Sequence, residues 1–453
     1  MKYLKILGLM LAIGASSVNA ETKVHEHQLK NGLKILVKED HRSPVVVSQV
    51  WYKVGSSYEP NGITGISHML EHMMFKGTDK LQPGEFSRII AANGGNENAF
   101  TGRDYTAYFQ TMEKSRLPVS FELEADRMRN LHLLDEELKK ELQVVYEERR
   151  MRTDDNPRAK TQEHFTAMAY SNNPYKNPII GWPSDIENYT IDDLKAWYQR
   201  WYAPNNATLV VVGDVEPKAV FSLAEKYFGE LKPSEIVAIK PQQEIPQLGT
   251  RRMVVKVPAK LPYLVMGYKV PVLKTVENEW EAYALEVMAG ILDGGSSARL
   301  ETNLVRGKQL AVSVGAGYGL ASRLDELFML EGTPVEGKTA NDLEVALKEE
   351  IEKLKYELVQ QDELQRIKAQ VLANVIYERD SMFYQGMQMG MLETVGLGWQ
   401  KENEYVKKVS QVTAEQVREV AQKYFKDDSL SVAYLDPQPI AEQKTEKTNE
   451  GAN

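Results

Sequence analysis

Two stretches of the chain, residues 190–212 and 413–435, align without a gap at an offset of 223. Thr190 falls on Thr413, Gln199 on Gln422, and Trp201-Tyr202 on Tyr424-Phe425; the apolar run Leu209–Val212 falls on Val432–Leu435. One matched segment is weak evidence by itself. Each side of it, however, runs through strands, helices and a closing helix–strand unit in a similar order, so the chain is expected to fold as two related units. The fold class that follows is α+β: two tandem homologous domains, each a mixed β-sheet packed by helices. A length of 453 residues gives each unit enough chain for its own core. Pro233, Pro241 and Pro246, set among Gln, Glu and Lys, mark 231–250 as the linker between a first domain at 21–230 and a second at 251–436. The polar tail 437–453 is expected to be disordered.

Residues 1–20 read as a leader outside the fold. Lys2 and Lys5 precede an apolar run from Ile6 to Ala15, and Val18-Asn19-Ala20 fits a small-residue cleavage site before Glu21. The run is about half the ~20 residues a membrane span needs, so no membrane anchor is expected. The reading is an exported, soluble protein, periplasmic if the cell is a Gram-negative bacterium. The formal charge of −9 becomes −11 once both lysines are removed, and no Lys/Arg cluster stands out, which argues against nucleic acid as a partner. There is no cysteine, so a disulfide framework and thiol catalysis are both excluded.

Local patterns place the elements. Asn31-Gly32 between β-rich runs predicts a hairpin over 27–37, and Val45–Val54 reads as another strand. Helices are predicted over 66–75 and 86–92, a strand over 98–111, and a long helix from Asp135, taken as its N-cap, to Arg152. Residues 207–212 read as a buried strand. Gly315-Ala-Gly317-Tyr-Gly319 lacks the spacing of a dinucleotide fingerprint and reads as a tightly packed strand; the Met-rich stretch 382–391 reads as helix core.

All seven histidines lie in the first half, and two form His68-Met69-Leu70-Glu71-His72, an inverted zincin pattern H-x-x-E-H. On a helix, positions i and i+4 share a face, so both imidazoles can reach one metal ion. Glu71, three residues after His68, can contact a water on that metal without ligating it. A catalytic zinc takes three protein ligands and keeps one position open. The predicted helix from Asp135 carries Glu141, Glu147 and Glu148; Glu141 and Glu148 are two turns apart on one face and Glu147 points elsewhere. Such glutamates are usually solvated, and spacing alone leaves the third ligand open.

The combination of His68-x-x-Glu71-His72 with Glu148 placed 76 positions after His72, and Glu141 before it, resembles the pitrilysin family of zinc peptidases, which includes insulysin and the mitochondrial processing peptidase. Asn31-Gly32-Leu33, Gly94-Gly95 before Asn98-Ala99-Phe100-Thr101, and Tyr202-Ala203-Pro204-Asn205-Asn206 with Gly213-Asp214 are similar to its hallmarks, so the likeness spans nearly the whole chain after the leader. The resemblance implies the metallohydrolase fold of the mitochondrial processing peptidase, one zinc ion per chain bound by His68, His72 and Glu148, Glu71 as general base, and Glu141 supporting the site from behind. The implied activity is hydrolysis of unstructured peptides by a zinc-bound water. The alternatives are a non-catalytic scaffold or assembly subunit, and a processing protease narrow for one partner protein.

The family also implies a peptide-binding sheet edge at 98–102, which makes Asn98 and Ala99 the expected substrate contacts. Its C-terminal half often supplies an Arg and a Tyr that hold the substrate carbonyl. Here Arg306 is present, but the segment is one residue short and Val312 stands where the Tyr would be. Larger relatives enclose substrate with four such domains, and this chain has two. The expected partner is therefore a zinc-less homologous subunit in a heterodimer, with a homodimer as the alternative.

Overall fold

The Asn31-Gly32 hairpin forms: β1 (Val24–Gln28) pairs antiparallel with β2 (Lys34–Glu39), and Gly32 sits at φ +95° in the connecting turn. The computed structural model describes residues 23–240 and 242–440; the leader expected at 1–20 lies outside them, as does most of the expected tail. The other strands of the first half are β3 (Val45–Tyr52), β4 (Asn96–Thr101), β5 (Thr106–Glu113) and β6 (Ala207–Gly213). Its helices are α1 (Ile66–Met73), α2 (Glu85–Ala92), α3 (Leu117–Arg129), α4 (Asp135–Arg149), α5 (Pro157–Ala169), α6 (Pro183–Glu187), α7 (Ile191–Trp201) and α8 (Pro217–Phe228). The second half contributes β7 (Arg251–Pro258), β8 (Tyr263–Val270), β9 (Ala311–Gly317), β10 (Glu326–Pro334) and β11 (Leu430–Gln438). Its helices are α9 (Glu279–Asp293), α10 (Ala340–Tyr356), α11 (Gln361–Arg379), α12 (Met382–Thr394), α13 (Lys401–Gln411) and α14 (Ala414–Tyr424).

The two sheets carry the same topology. The first runs β1-β2-β6-β3-β5-β4 and the second β7-β11-β8-β10-β9, so that β2 to β6 correspond in chain order to β7 to β11, with β1 as an addition. Each has one parallel pair at the same place, β2 on β6 and β7 on β11, and antiparallel pairs elsewhere. The aligned segments are α7–β6 and α14–β11. Thr190 and Thr413 both cap their helices, each closing a capping box, with Asp193 and with Gln416. The offset seen in the sequence is thus a repeated helix–strand unit, and the fold is the expected two-unit α+β architecture.

Four local expectations need correction. The strand foreseen over 98–111 is two strands, because Gly102 opens a turn in which its N–H bonds the Tyr105 carbonyl at 2.8 Å, folding the run into the β4–β5 hairpin. Asp135 is the first residue of α4 rather than its cap; Leu134 holds the cap position, and Asp135, Glu136 and Glu137 favour the first turn through the helix dipole. The α4 helix stops at Arg149 and passes into a π-helical turn, Arg150–Asp154. Pro437 and Gln438, expected in the disordered tail, instead pair with Val257 and Pro258.

The linker divides the sequence but not the packing. Helix α5, from the first half, covers one face of the second sheet, where Phe165, Ala169 and Tyr170 pack on Val265, Ala433 and Leu435. Helix α12, from the second half, covers the first sheet in return, with Met389 against Trp51, Val210 and Val212. The approach of α12 is close enough to require glycine: a Cβ at Gly390 would lie 2.2 Å from the Trp51 indole. Between 230 and 250 the described residues form no regular element, yet Glu244 ties them to both halves. Its carboxylate accepts the amides of Ser171 (2.9 Å), Asn172 and Asn173 (both 2.8 Å) and pairs with Lys269 (2.6 Å). Burial works against it, but Lys269 and these amides hold the Glu244 carboxyl down at about 2. The β4–β5 turn also meets the β9–β10 loop, its counterpart, through Arg103–Glu326 (3.0 Å) and Asp104–Arg323 (3.2 Å). Among the described residues no helix is long and apolar enough to cross a membrane.

Candidate metal centre and active-site cleft

Helix α1 carries the H-x-x-E-H residues, and its other face is core: Ile66, Met69, Leu70 and Met73 are all fully buried. Its start is fixed from outside. Gly65, at φ +87°, precedes it where a Cβ would lie 2.4 Å from the Ile180 carbonyl, so the chain enters α1 through a position only glycine fits. The buried Glu59 carboxylate accepts the amides of Gly65 (2.6 Å) and Ser67 (2.8 Å), replacing the missing side-chain cap. Asp185 accepts the Thr64 amide (3.0 Å) and hydroxyl (2.6 Å) just upstream.

With α1 so held, α4 packs across it and brings its acidic face to the histidines. Glu148 Oε2 lies 3.3 Å from His72 Nε2 and 3.6 Å from His68 Nε2, and donor atoms of the three residues all fall within 4.8 Å of one another. Glu141 Oε1 takes the His72 Nδ1 at 2.8 Å, and its other oxygen pairs with Lys76. Glu147 points away; its side chain is 59% exposed and pairs with Arg150. Glu71 accepts the Thr101 hydroxyl at 2.5 Å on Oε2, leaving its other oxygen unclaimed by any hydrogen bond among the described residues.

Burial, reinforced by the charge of His72, pulls His68 down to about 4. Burial also acts on His72, but Glu141 and Glu148 outweigh it and push that imidazole up to about 9. Glu148 is held below its ordinary value by the His72 hydrogen bond. Glu71 is pushed above its ordinary value by burial, which the Thr101 hydroxyl only partly offsets.

This donor set fits a zinc ion. Tetrahedral Zn–N and Zn–O bonds of about 2.0–2.1 Å set neighbouring ligand atoms roughly 3.4 Å apart, close to the 3.3 and 3.6 Å seen here. Two imidazoles and one carboxylate match the ligand chemistry, and the Glu141–His72 contact is the usual outer support of a metal-binding histidine. His68 lacks such support: its Nδ1 is buried with no hydrogen-bond partner among the described residues.

The cluster opens into a cleft of about 1560 Å³ between the two halves. One wall is α1, α4 and β4, the outer strand of the first sheet, with Asn98 and Ala99 lining it; the other is the outer strand of the second sheet, with Gly315 to Gly317. The structure therefore brings together His68, Glu71, His72, Glu141, Glu148, Asn98 and Ala99. Arg306 is not among the residues lining the cleft. It sits in a π-helical turn, Glu301–Gly307, where its guanidinium folds back on the Ser296 carbonyl and the Thr302 hydroxyl (3.1 Å). Its expected place at the substrate is therefore not where the structure puts it.

Three contributors escaped the sequence reading. Thr101 steadies Glu71 and follows Ala99 by the strand period of two, a signal that was present. Arg152 forms an ion pair with the second oxygen of Glu148 at 2.7 Å and stands at i+4 from it, readable as a helical pair. Glu59 acts through a loop, and no periodic signal marks it.

Residues 34–182 match the family model described as "Insulinase (Peptidase family M16)", and 188–371 match "Peptidase M16 inactive domain". The chain is 35% identical to the zinc protease PqqE of Helicobacter pylori over 441 residues, covering 95% of this chain and 97% of that one. A solved protease structure from Helicobacter pylori superposes with a TM-score of 0.86 at 33% identity, over 92% of this chain and all of that one. The periplasmic protease PqqL of Escherichia coli shares the fold at 17% identity, with a TM-score of 0.77 over 93% of this chain and 49% of the longer one.

Proposed function

This chain belongs to the M16 (insulinase) family of peptidases, and from that premise we propose that it is an active zinc metalloendopeptidase that hydrolyses unstructured peptides in its cleft. The observation that carries the reading is the convergence of His68 Nε2, His72 Nε2 and Glu148 Oε2, with Glu71 beside them, on the wall of an open cleft. His68, His72 and Glu148 hold the zinc, which when bound supplies Lewis acidity toward water and toward the scissile carbonyl. Glu71 removes a proton at its free carboxylate oxygen as water attacks, then delivers it to the leaving amine. Its raised affinity for the proton suits both halves of that task. Thr101 fixes the rotamer of Glu71, and Glu141 fixes the imidazole of His72 so that Nε2 presents its lone pair. Asn98 and Ala99 sit on the outer strand β4, where an extended peptide adds as a further strand.

The rival is a non-catalytic scaffold subunit, and the words "inactive domain" in one matching model favour it. That match covers 188–371, however, whereas His68, Glu71, His72 and Glu148 all fall in the 34–182 segment. For assembly we propose a second homologous subunit, zinc-less in a heterodimer or identical in a homodimer. The support is that the fold recurs as half of the longer PqqL chain, and that Arg306 leaves the cleft without the carbonyl-holding pair. The N-terminal leader pattern supports export.

The test is cleavage of a quenched ~20-residue unstructured peptide by the purified mature chain, with and without chelator, beside Glu71→Gln, with zinc content read on the same samples. Chelator-sensitive cleavage lost in Glu71→Gln, with about one zinc retained, is the expected result. Zinc bound without cleavage would direct the search to the second subunit. Neither zinc nor cleavage from a folded chain would leave the scaffold reading. Cleavage confined to one protein of a broad panel would favour the narrow processing protease.

A further inference from the structure

A second cavity, of about 370 Å³, lies away from the cleft among α9, α11, α12 and α13, closed on one side by the β9–β10 loop. Its volume falls at the small end of the range for small-molecule sites. The walls are largely apolar, with Leu273, Leu320, Val375 and Leu392 among them, and carry the rings of Tyr283, Tyr384 and Tyr405. Glu286, on α9, stands out at this wall. Its Oε1 accepts the Tyr405 hydroxyl at 2.5 Å, while its Oε2 is buried with no hydrogen-bond partner among the described residues. A carboxylate oxygen in that position carries a desolvation cost that one neutral hydroxyl does not offset.

Among the described residues no cation makes up the difference. Lys401, which also reaches the cavity, is held by Glu279 (2.7 Å) and Glu404 (3.1 Å), and Arg379 faces Glu402 at 4.0 Å. Glu378, on the same wall, has no ion pair among the described residues. The cavity wall thus holds, among the described residues, a carboxyl with no cation beside it, which burial pushes up to about 7, set among apolar and aromatic side chains; a cation beside it would favour its charged form. That combination complements a cation on an apolar body, because tyrosine faces attract an ammonium and the aliphatic walls take up its carbon frame. We propose that this cavity binds a small apolar amine, with the ammonium donating to Glu286 Oε2 and the hydrocarbon part lying between α9 and α12. The proposal is independent of the peptidase reading, since no residue of the zinc cluster lines this cavity.

The probe is phenethylamine, titrated calorimetrically into the whole mature chain, with 2-phenylethanol as a neutral molecule of the same shape and ammonium chloride as the charge alone. The expected result is saturable binding of one phenethylamine per chain, with neither control binding measurably. Glu286→Gln should weaken it at least tenfold while peptide cleavage stays unchanged. Val375→Trp, which fills the cavity but keeps the carboxylate, should weaken it equally, and it decides the question if Glu286→Gln does not fold. Absence of saturable binding, equal binding of 2-phenylethanol, or phenethylamine binding that survives Val375→Trp but is lost in Glu331→Gln, a β10 residue in the wall of the zinc-site cleft, would each overturn the proposal.

Discussion

Glu141 offers the sharpest test of the metal centre, because it never touches the cation it is said to support. Its side chain is 7% exposed, so its charge is poorly screened, and it meets His72 Nδ1 at 2.8 Å. Glu141→Ala removes the acceptor that fixes the His72 tautomer, together with the charge that makes the imidazole more basic. Losing such an outer partner costs ten- to a hundredfold in metal affinity, about 1.4–2.8 kcal/mol. Glu141→Gln keeps an acceptor without the charge and should fall between wild type and Glu141→Ala. Glu147→Ala, immediately before Glu148 in the chain but exposed and paired with Arg150, is the control and should change affinity less than twofold.

Protons give this prediction a second handle. Glu141 and Glu148 push His72 up to about 9, and a bound proton there competes with zinc. Wild-type affinity should therefore climb as pH rises toward 9. In Glu141→Ala that competition is weaker, which offsets part of the loss at neutral pH, so the gap between the two should be widest above pH 9. The assay is competition for zinc against a chromophoric chelator between pH 6.5 and 9.5, on samples matched by circular dichroism. A Glu141→Ala affinity within twofold of wild type at pH 9.5, or a gap that narrows as pH rises, would refute the reasoning.

Gly390→Ala probes the exchange of helices between the halves. Its new Cβ would sit 2.2 Å from the Trp51 ring, and relief of that overlap should cost about 1–3 kcal/mol in urea unfolding; a loss below 0.3 kcal/mol would mean that α12 does not seat on the first sheet so closely. Glu59→Ala should strand two buried amides at the start of α1 and lower stability by about 2–4 kcal/mol. Burial, only partly countered by the Gly65 and Ser67 amides, pushes Glu59 up to about 7. The folded pKa lies above the unfolded one, so this proton-linked stability is full below about pH 4.5 and is lost as pH rises through 7. The difference between wild type and Glu59→Ala should accordingly shrink from pH 5 to pH 8, and a thermal-melt series in which it grew would contradict the assignment.

What could be read in advance divides along physical lines. Thr190 and Thr413 announced the repeated unit because capping is a local interaction, written within four residues of chain. His68, Glu71 and His72 were legible because one helix fixes their mutual geometry. Glu148 needed the family resemblance, since nothing local relates α4 to α1; only tertiary packing brings them together. The β4–β5 turn was missed because Gly102 interrupts a run of Thr, Tyr and Phe that looks continuous by propensity. The partnership of α5 with the second sheet was invisible altogether, for a helix shows which face is apolar but not which sheet will cover it.

That exchange bears on why, among the described residues, only the first half gathers a candidate metal centre. In the first half, α1 and α4 pack together with His68, His72 and Glu148 between them. The corresponding pair in the second half is α9, the first helix after β8, packed on α11. There the contact is apolar: Ala284, Val287, Met288 and Ile291 are buried on α9, and Ile367 from α11 closes on Gly290 so tightly that a Cβ there would lie 2.9 Å away. Two glycines, Gly290 and Gly294, let α11 press onto α9 where α1 and α4 leave room for ligand side chains. A hydrocarbon contact of that kind is stiffer and more stable than a polar cluster open to solvent. Since α5 and α12 each cross to the other sheet, the stability of the second half is shared with the first. The repeat that lacks histidine is thus a rigid opposing wall, and the first half keeps a polar, partly exposed site because its twin supplies the packing that such a site gives up.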